Sequence, residues 1–162
     1  RMVVELARER IFTDVLGGLN GYDYQLLDCA PSLSLLTVNA VSYVDEIFVP
    51  VSMEMLAIAG ARDFMRYLRD ITRIMGGGAA IRLIVPTFYD PRRRVSAMVM
   101  ESLNEEFGSR VTQPIRVDTK LSEAPGVGKT IFEYMPSGRG AEDYARLSQR
   151  VESMAPPRAP RR

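Results

Sequence analysis

Residues 24–32 read YQLLDCAPS, a short apolar run that stops on an acid, with a proline three residues further on. Three of the four residues before Asp28 are apolar or aromatic, which predicts a short buried strand. The rest of the chain repeats the theme. EIFVPV at 46–51 and IRLIVP at 81–86 are two more apolar strands, and VTQPIRV at 111–117 is a fourth, broken or edge-like at Pro114. Between them lie helical patterns. Ser32 to Val44 is one. Residues 56–75 place Ala61, Phe64, Leu68, Ile71 and Met75 on one face and Arg62, Asp63, Arg66, Arg69, Asp70 and Arg73 on the other. Val95, Val99, Leu103 and Phe107 step by four up to Gly108, and Tyr144, Leu147, Val151 and Met154 form the inward stripe of a last helix. Strands alternating with helices of this length predict a mostly parallel sheet covered on both faces, a three-layer α/β/α arrangement. In such folds ligands sit beyond the carboxyl ends of the strands. The segments to inspect are therefore 28–32, 51–54, 87–94 and 118–129.

The 162 residues suffice for one domain, and 46% hydrophobic with 25% charged residues is globular composition. The formal net charge of +1 gives no bulk attraction to nucleic acid, so contact with DNA must rest on local basic patches. With no histidine and one cysteine, the chain has no internal disulfide, no cysteine–histidine metal cluster and no histidine catalysis. A reduced, cytoplasmic setting follows, with no membrane-length apolar run and no secretory signal. Cys29 reads as a small buried core residue. The opening RMVVELARERIFTDVLGGL begins inside an amphipathic helix with Val4, Ala7, Ile11 and Val15 on one side. It has neither initiator methionine nor cap, as if taken from the middle of a longer chain. Residues 1–154 are expected to form the domain, and APPRAPRR at 155–162 a disordered Pro/Arg tail.

Three stretches could carry chemistry. Asp28 at a strand end could hold Mg²⁺, directly or through water, as in phosphate-loop enzymes, or it could cap the helix starting near Ser32; the stretch alone leaves both open. FYDPRRRVS puts three arginines after a strand, suited to phosphodiester oxygens or to a solvated helix start. APGVGKT at 124–130 imitates a phosphate loop. The true pattern needs a glycine at position 123, where Glu123 would repel phosphate, and Pro125 removes an N–H. The following IFEYMPSG is a poor helix, so no helix N-terminus backs the loop. A surface loop is the reading.

In combination, YDYQLLDCAPSLSLLTVNAV, EIFVPVSMEMLAIAGA, PTFYDPRRRVS and KLSEAPGVGKTIFEYMPSGRGAEDY resemble the ParA/Soj/MinD family of deviant Walker ATPases. They are closest to the ParA/Soj branch that partitions chromosomes and plasmids. The likeness runs from about residue 22 to 151 and includes a family loop ending in SEAP-x-x-GK that is distinct from the phosphate loop. A P-loop NTPase-like fold is implied, incomplete at its N-terminus. Asp28 looks like the Walker B acid that positions Mg²⁺ and water, and 29–32, including Pro31, like the neighbouring switch. Thr87, Phe88, Val117 and Asp118 lie where the family surrounds adenine. Arg92 and Lys120 match basic positions that grip non-specific DNA. The family usually has Arg at the latter, and Lys loses bidentate phosphate geometry.

The family's phosphate loop, K-G-G-x-x-x-G-K-[ST] or its shorter form, has no counterpart here, since Ala124 and Pro125 stand where GVGKT would need Lys and Gly. In related folds the missing strand lies between the Walker B strand and the next, here between YQLLDC and EIFVPV. Both would flank an empty slot, each buried unpaired backbone group costing about 1–3 kcal/mol. The implied parent binds ATP·Mg²⁺, forms a homodimer around two nucleotides, binds DNA on the nucleoid and responds to a ParB-like partner. This chain alone is expected not to hydrolyse ATP. The alternative is a nucleotide-free adaptor for DNA or a ParB-like protein. A MinD-like, membrane-associated role ranks last, because APPRAPRR offers no apolar face.

Overall fold

The structure is a computed structural model that describes residues 11–30, 34–74 and 79–154. In chain order it contains Ile11–Leu16 (α1), Leu35–Tyr43 (α2), Glu46–Ser52 (β1), Met55–Ile74 (α3), Ala80–Thr87 (β2), Arg94–Phe107 (α4), Lys120–Glu123 (α5), Ile131–Tyr134 (α6) and Arg139–Glu152 (α7). The chain divides into two compact units, one of Arg1–Ile47 with Phe64–Ala80, the other of Phe48–Asp63 with Ile81–Arg162.

The second unit holds most of the sheet. β1 pairs with β2. Asp45 O accepts from Ala80 N at 3.0 Å and Thr87 O accepts from Met53 N at 3.1 Å, so both strands advance together and the pair is parallel. On the other side of β2 the backbone of 111–117 runs parallel as well, through bridges Ile84–Val111 and Tyr89–Arg116. Thr112 N donates to Ile84 O and Ile115 N to Pro86 O, at 3.0 and 2.8 Å. Neither Pro86 nor Pro114 has an N–H to donate, which leaves this third member as isolated bridges rather than a continuous ladder.

The centre is dry. Leu83, Ile84, Val99 and Leu103 are 0–1% exposed. Leu83, Val85 and Ile115 form a cluster against which Phe48, Leu121, Leu147, Val151 and Met154 pack. The stripes of α4 and α7 thus arise as their spacing requires, with one correction. Tyr144 is exposed, not inward. α6 is a single turn with a Thr130/Glu133 capping box, and it stops before Pro136.

In the first unit, Ser34 caps α2 by accepting from Thr37 N, which removes the capping role considered for Asp28. Asn39, 1% exposed, accepts through Oδ1 from Ile11 N at 3.0 Å and so joins α1 to α2. The last three turns of α3 bury Met65, Leu68 and Ile71 while Arg66, Arg69 and Arg73 stay outside.

The expected strand at 24–29 is absent. Tyr24 and Leu26 are 63% and 85% exposed, and Cys29 is exposed rather than part of a core. Val15 is exposed too. Among the described residues no strand runs beside 24–29, so nothing there can satisfy its N–H and C=O groups except water or side chains. Gln25 is tied to described residues, accepting from Tyr43 Oη at 2.6 Å and donating to Leu19 O at 3.3 Å. Apolar composition makes the segment eligible for a sheet, but among the described residues no ladder partner lies beside it.

Candidate functional site at the carboxyl ends of the strands

β2 and the 111–117 segment are adjacent and parallel, so the loops that follow them leave the sheet at the same end. At this end Met53 N bonds Thr87 O on one side of β2, while Tyr89 N bonds Ile115 O and Tyr89 O accepts from Val117 N on the other. Phe88 lies between these opposed anchors and takes φ 56. A left-handed backbone on a bulky residue costs about 1–3 kcal/mol and is kept only where its surroundings fix it. The result is that Phe88 and Val117, 67% and 43% exposed, present apolar surface beyond adjoining strand ends. Thr87 is partly buried beside them.

Below this apolar edge each loop is built round an acid. In the first, Asp90 Oδ1 accepts from Arg92 N at 3.0 Å and Arg92 Nε at 3.1 Å, and Oδ2 accepts from Arg92 Nη2 at 3.2 Å. This fork-to-fork pair holds the Asp90 carboxyl below its usual range and raises Arg92. In the second loop Asp118 accepts from Lys120 N through Oδ1 and from Gly140 N through Oδ2, both at 3.0 Å. Its carboxylate therefore fastens the 118–123 turn to α7. Gly140 is required there, because a Cβ would come within 2.9 Å of Leu121 Cγ. Lys120 Nζ meets Glu123 Oε2 at 2.7 Å, and Tyr134 Oη donates to the same oxygen at 2.9 Å. Lys120 is raised by Glu123, and Glu123 is lowered first by Lys120 and then by Tyr134.

The glycine–lysine turn has no amides to offer an anion at its centre. Gly128, at φ 68, donates its N–H to Pro125 O; Lys129 N donates to Ala124 O; and Thr130 N donates to Glu133 Oε2. A phosphate cradle needs these groups converging on the ligand.

One cluster was missed from sequence. Asp143 on α7 has a fully buried side chain and accepts from Arg116 N at 2.9 Å, from Arg116 Nε at 2.9 Å and Nη2 at 2.7 Å, and from Arg146 Nη2. Glu142 adds a contact to Arg116 Nη2 at 2.5 Å. Burial works to raise the Asp143 carboxyl, but the Arg116 and Arg146 bonds outweigh it and hold it below its usual range. Twenty-six or more residues separate Arg116 from its two acids, beyond the reach of any periodicity.

Asp28 is exposed in the first unit, outside any strand, and Pro31 lies outside the described residues. Among the described residues no group of three or more acids and cysteines has metal-holding geometry. Phe88 and Val117 leave an exposed apolar edge; the amides and acids described do not fit a triphosphate with Mg²⁺. Nor is any described helix long and apolar enough to cross a membrane.

A family model described as an AAA domain matches residues 1–76. The chromosome partitioning protein ParA of Caulobacter vibrioides is 35% identical over 133 residues, 82% of this chain and 50% of that protein. The chromosome-partitioning ATPase Soj of Thermus thermophilus is 36% identical over 132 residues, 81% of this chain and 53% of its own length. The chain thus spans about half the length of these curated relatives. Among solved structures, cobyrinic acid a,c-diamide synthase from Mycobacterium smegmatis with bound ADP and magnesium matches at TM-score 0.69 and 25% identity, covering 94% of this chain and 58% of that one. The parallel sheet and the helix order are those of a three-layer α/β/α, P-loop NTPase-like fold, and over most of its length the chain is similar to the chromosome-partitioning proteins ParA and Soj.

Proposed function

We propose that this chain carries the base-facing and DNA-facing end of a ParA/Soj-type partition ATPase. The observation that carries the reading is the pairing of an apolar edge, Phe88 with Val117, and two loop cations, Arg92 and Lys120, at one end of adjacent parallel strands. Identity of about 35% to partitioning proteins supports the class. In this reading Phe88 and Val117 flank the adenine, with Thr87 beside them, while Asp118 fixes the Lys120 turn against α7 through its bonds to Lys120 N and Gly140 N. Arg92 and Lys120 contact phosphodiester oxygens without reading sequence. Asp28 and Pro31 belong to the Mg²⁺ and switch region, which the described residues do not assemble. ATP with Mg²⁺, a homodimer and a ParB-like partner belong to the complete assembly. The 162 residues alone do not turn over ATP, because the amides at 128–130 are already bonded within the loop.

The adaptor reading rests on that last observation, since a DNA- or ParB-binding module needs no phosphate cradle. Titration of a random-sequence duplex at several salt concentrations, with and without ATP·Mg²⁺, tests both. Binding weakened by Arg92→Ala and Lys120→Ala, each with a salt slope shallower by about 1, is the expected result. Nucleotide-independent binding favours the adaptor. Unchanged affinity in both variants would sink the DNA assignment, and Mg²⁺-dependent ATP hydrolysis by this chain would sink the prediction of inactivity.

A further inference from the structure

We infer that Asp90 and Glu123 are intramolecular stand-ins for DNA phosphates, an autoinhibitory pair that sets how tightly the loop cations grip a duplex. The inference rests on the DNA-facing reading of Arg92 and Lys120. Each cation already meets a carboxylate in the geometry that a phosphodiester would need. Asp90 takes Arg92 through two oxygens and three N–H groups, the fork that guanidinium also makes to phosphate. Glu123 takes the Lys120 ammonium as a single charge contact, with Tyr134 Oη fixing the acceptor oxygen.

Asp90 is the anchored member of its pair, and Glu123 is steadied by a second bond from Tyr134 Oη. The Asp90 side chain is 18% exposed against 88% for Arg92, so the acid is part of the turn and the guanidinium lies over it in solvent. Glu123 and Lys120 both sit on α5 and are similarly exposed, at 40% and 37%; Glu123 is held in addition by Tyr134 Oη, whereas Lys120 ends in a rotatable ammonium. A duplex must therefore displace a carboxylate at each cation before a phosphate can enter. Exposed ion pairs are weak, so displacement is easy, and each acid trims affinity without blocking it. The neighbouring Arg93 and Arg94 are exposed with no hydrogen-bonded acid among the described residues; they offer charge that needs no such exchange.

The test uses the full chain and a random-sequence duplex, titrated between about 50 and about 200 mM salt. Asp90→Asn retains an oxygen for the Arg92 N–H, and Glu123→Gln retains one for Tyr134 Oη, so neither turn loses its backbone support. Each single variant is expected to bind about two- to fivefold more tightly. The double variant is expected to show a steeper salt slope, by up to about 2. Equal or weaker binding in both singles, with an unaltered slope, overturns the inference. Arg92→Ala and Lys120→Ala run alongside. If they bind as the unaltered chain does, the DNA reading itself has failed; if they weaken binding while the acid variants change nothing, only the autoinhibition has failed.

Discussion

IRLIVP and YQLLDC are near-equal as text and opposite as structure. Both are short, mostly apolar runs on which a strand is the natural reading. In the first, Leu83 and Ile84 are 1% and 0% exposed, and β2 has a parallel neighbour on each side. In the second, Leu26 is 85% exposed and no residue of 24–29 is in a strand. Hydrophobicity is alike in the two; hydrogen-bond partners are not. A strand is a shared object, and its backbone groups can leave water only when a second and third chain segment receive them.

That contrast can be broken most forcefully at its buried end. Ile84→Ala empties a site with no solvent access and is expected to cost about 2–5 kcal/mol in denaturant unfolding, whereas Leu26→Ala should stay within about 0.5 kcal/mol. Equal losses would mean that 24–29 is buried after all.

Next comes the polar fastener of the ordered side. Asp143→Ala removes the buried partner of Arg116, and because the guanidinium is partly exposed and keeps its contact to Glu142 the expected cost is about 2–3 kcal/mol, below the range for a fully buried pair. The sign of its pH dependence follows from the lowered carboxyl. Asp143 contributes its full stability above the unfolded value of about 4 and loses it as pH falls through the lower folded value. The stability gap between the unaltered chain and Asp143→Asn should therefore narrow below about pH 4, measured by thermal unfolding. A gap that widens there would contradict the assignment.

Gly140→Ala pushes a methyl group into Leu121 and is expected to destabilise by about 1–3 kcal/mol while loosening the Lys120 turn. The smallest effect is a gain. Phe88→Gly relieves a left-handed backbone at an exposed position and should raise stability by about 0.5–1 kcal/mol, while removing the flat surface offered to a base.

Much of the ordered side was legible in the sequence because its signals are periodic. The stripe of Ala61, Leu68 and Ile71, the four-residue steps of Val99 and Leu103, and the proline interruption at 114 all carry their geometry with them. The failures are of a single physical kind. Tyr144, Cys29 and 24–29 were each assigned an inner face, but a face is inner only if something covers it. The Arg116–Asp143 lock was invisible because its two halves share no helix and no strand. At the strand ends, Glu123 and Pro125 set the glycine–lysine turn apart from a phosphate-loop pattern, yet the acids that hold Arg92 and Lys120 were not singled out. DPR and KLSE contain the clue, an acid two or three residues from the cation, and only coordinates distinguish a paired cation from a free one.

Amide hydrogen exchange across the chain, with and without ATP·Mg²⁺, tests the central claim most directly. The expected result is slow exchange at 83–85, fast exchange at 24–29, and no nucleotide-induced protection at 128–130, whose amides are already bonded. Residues 24–29 as protected as 83–85, or protection appearing at 128–130 on adding nucleotide, would contradict it.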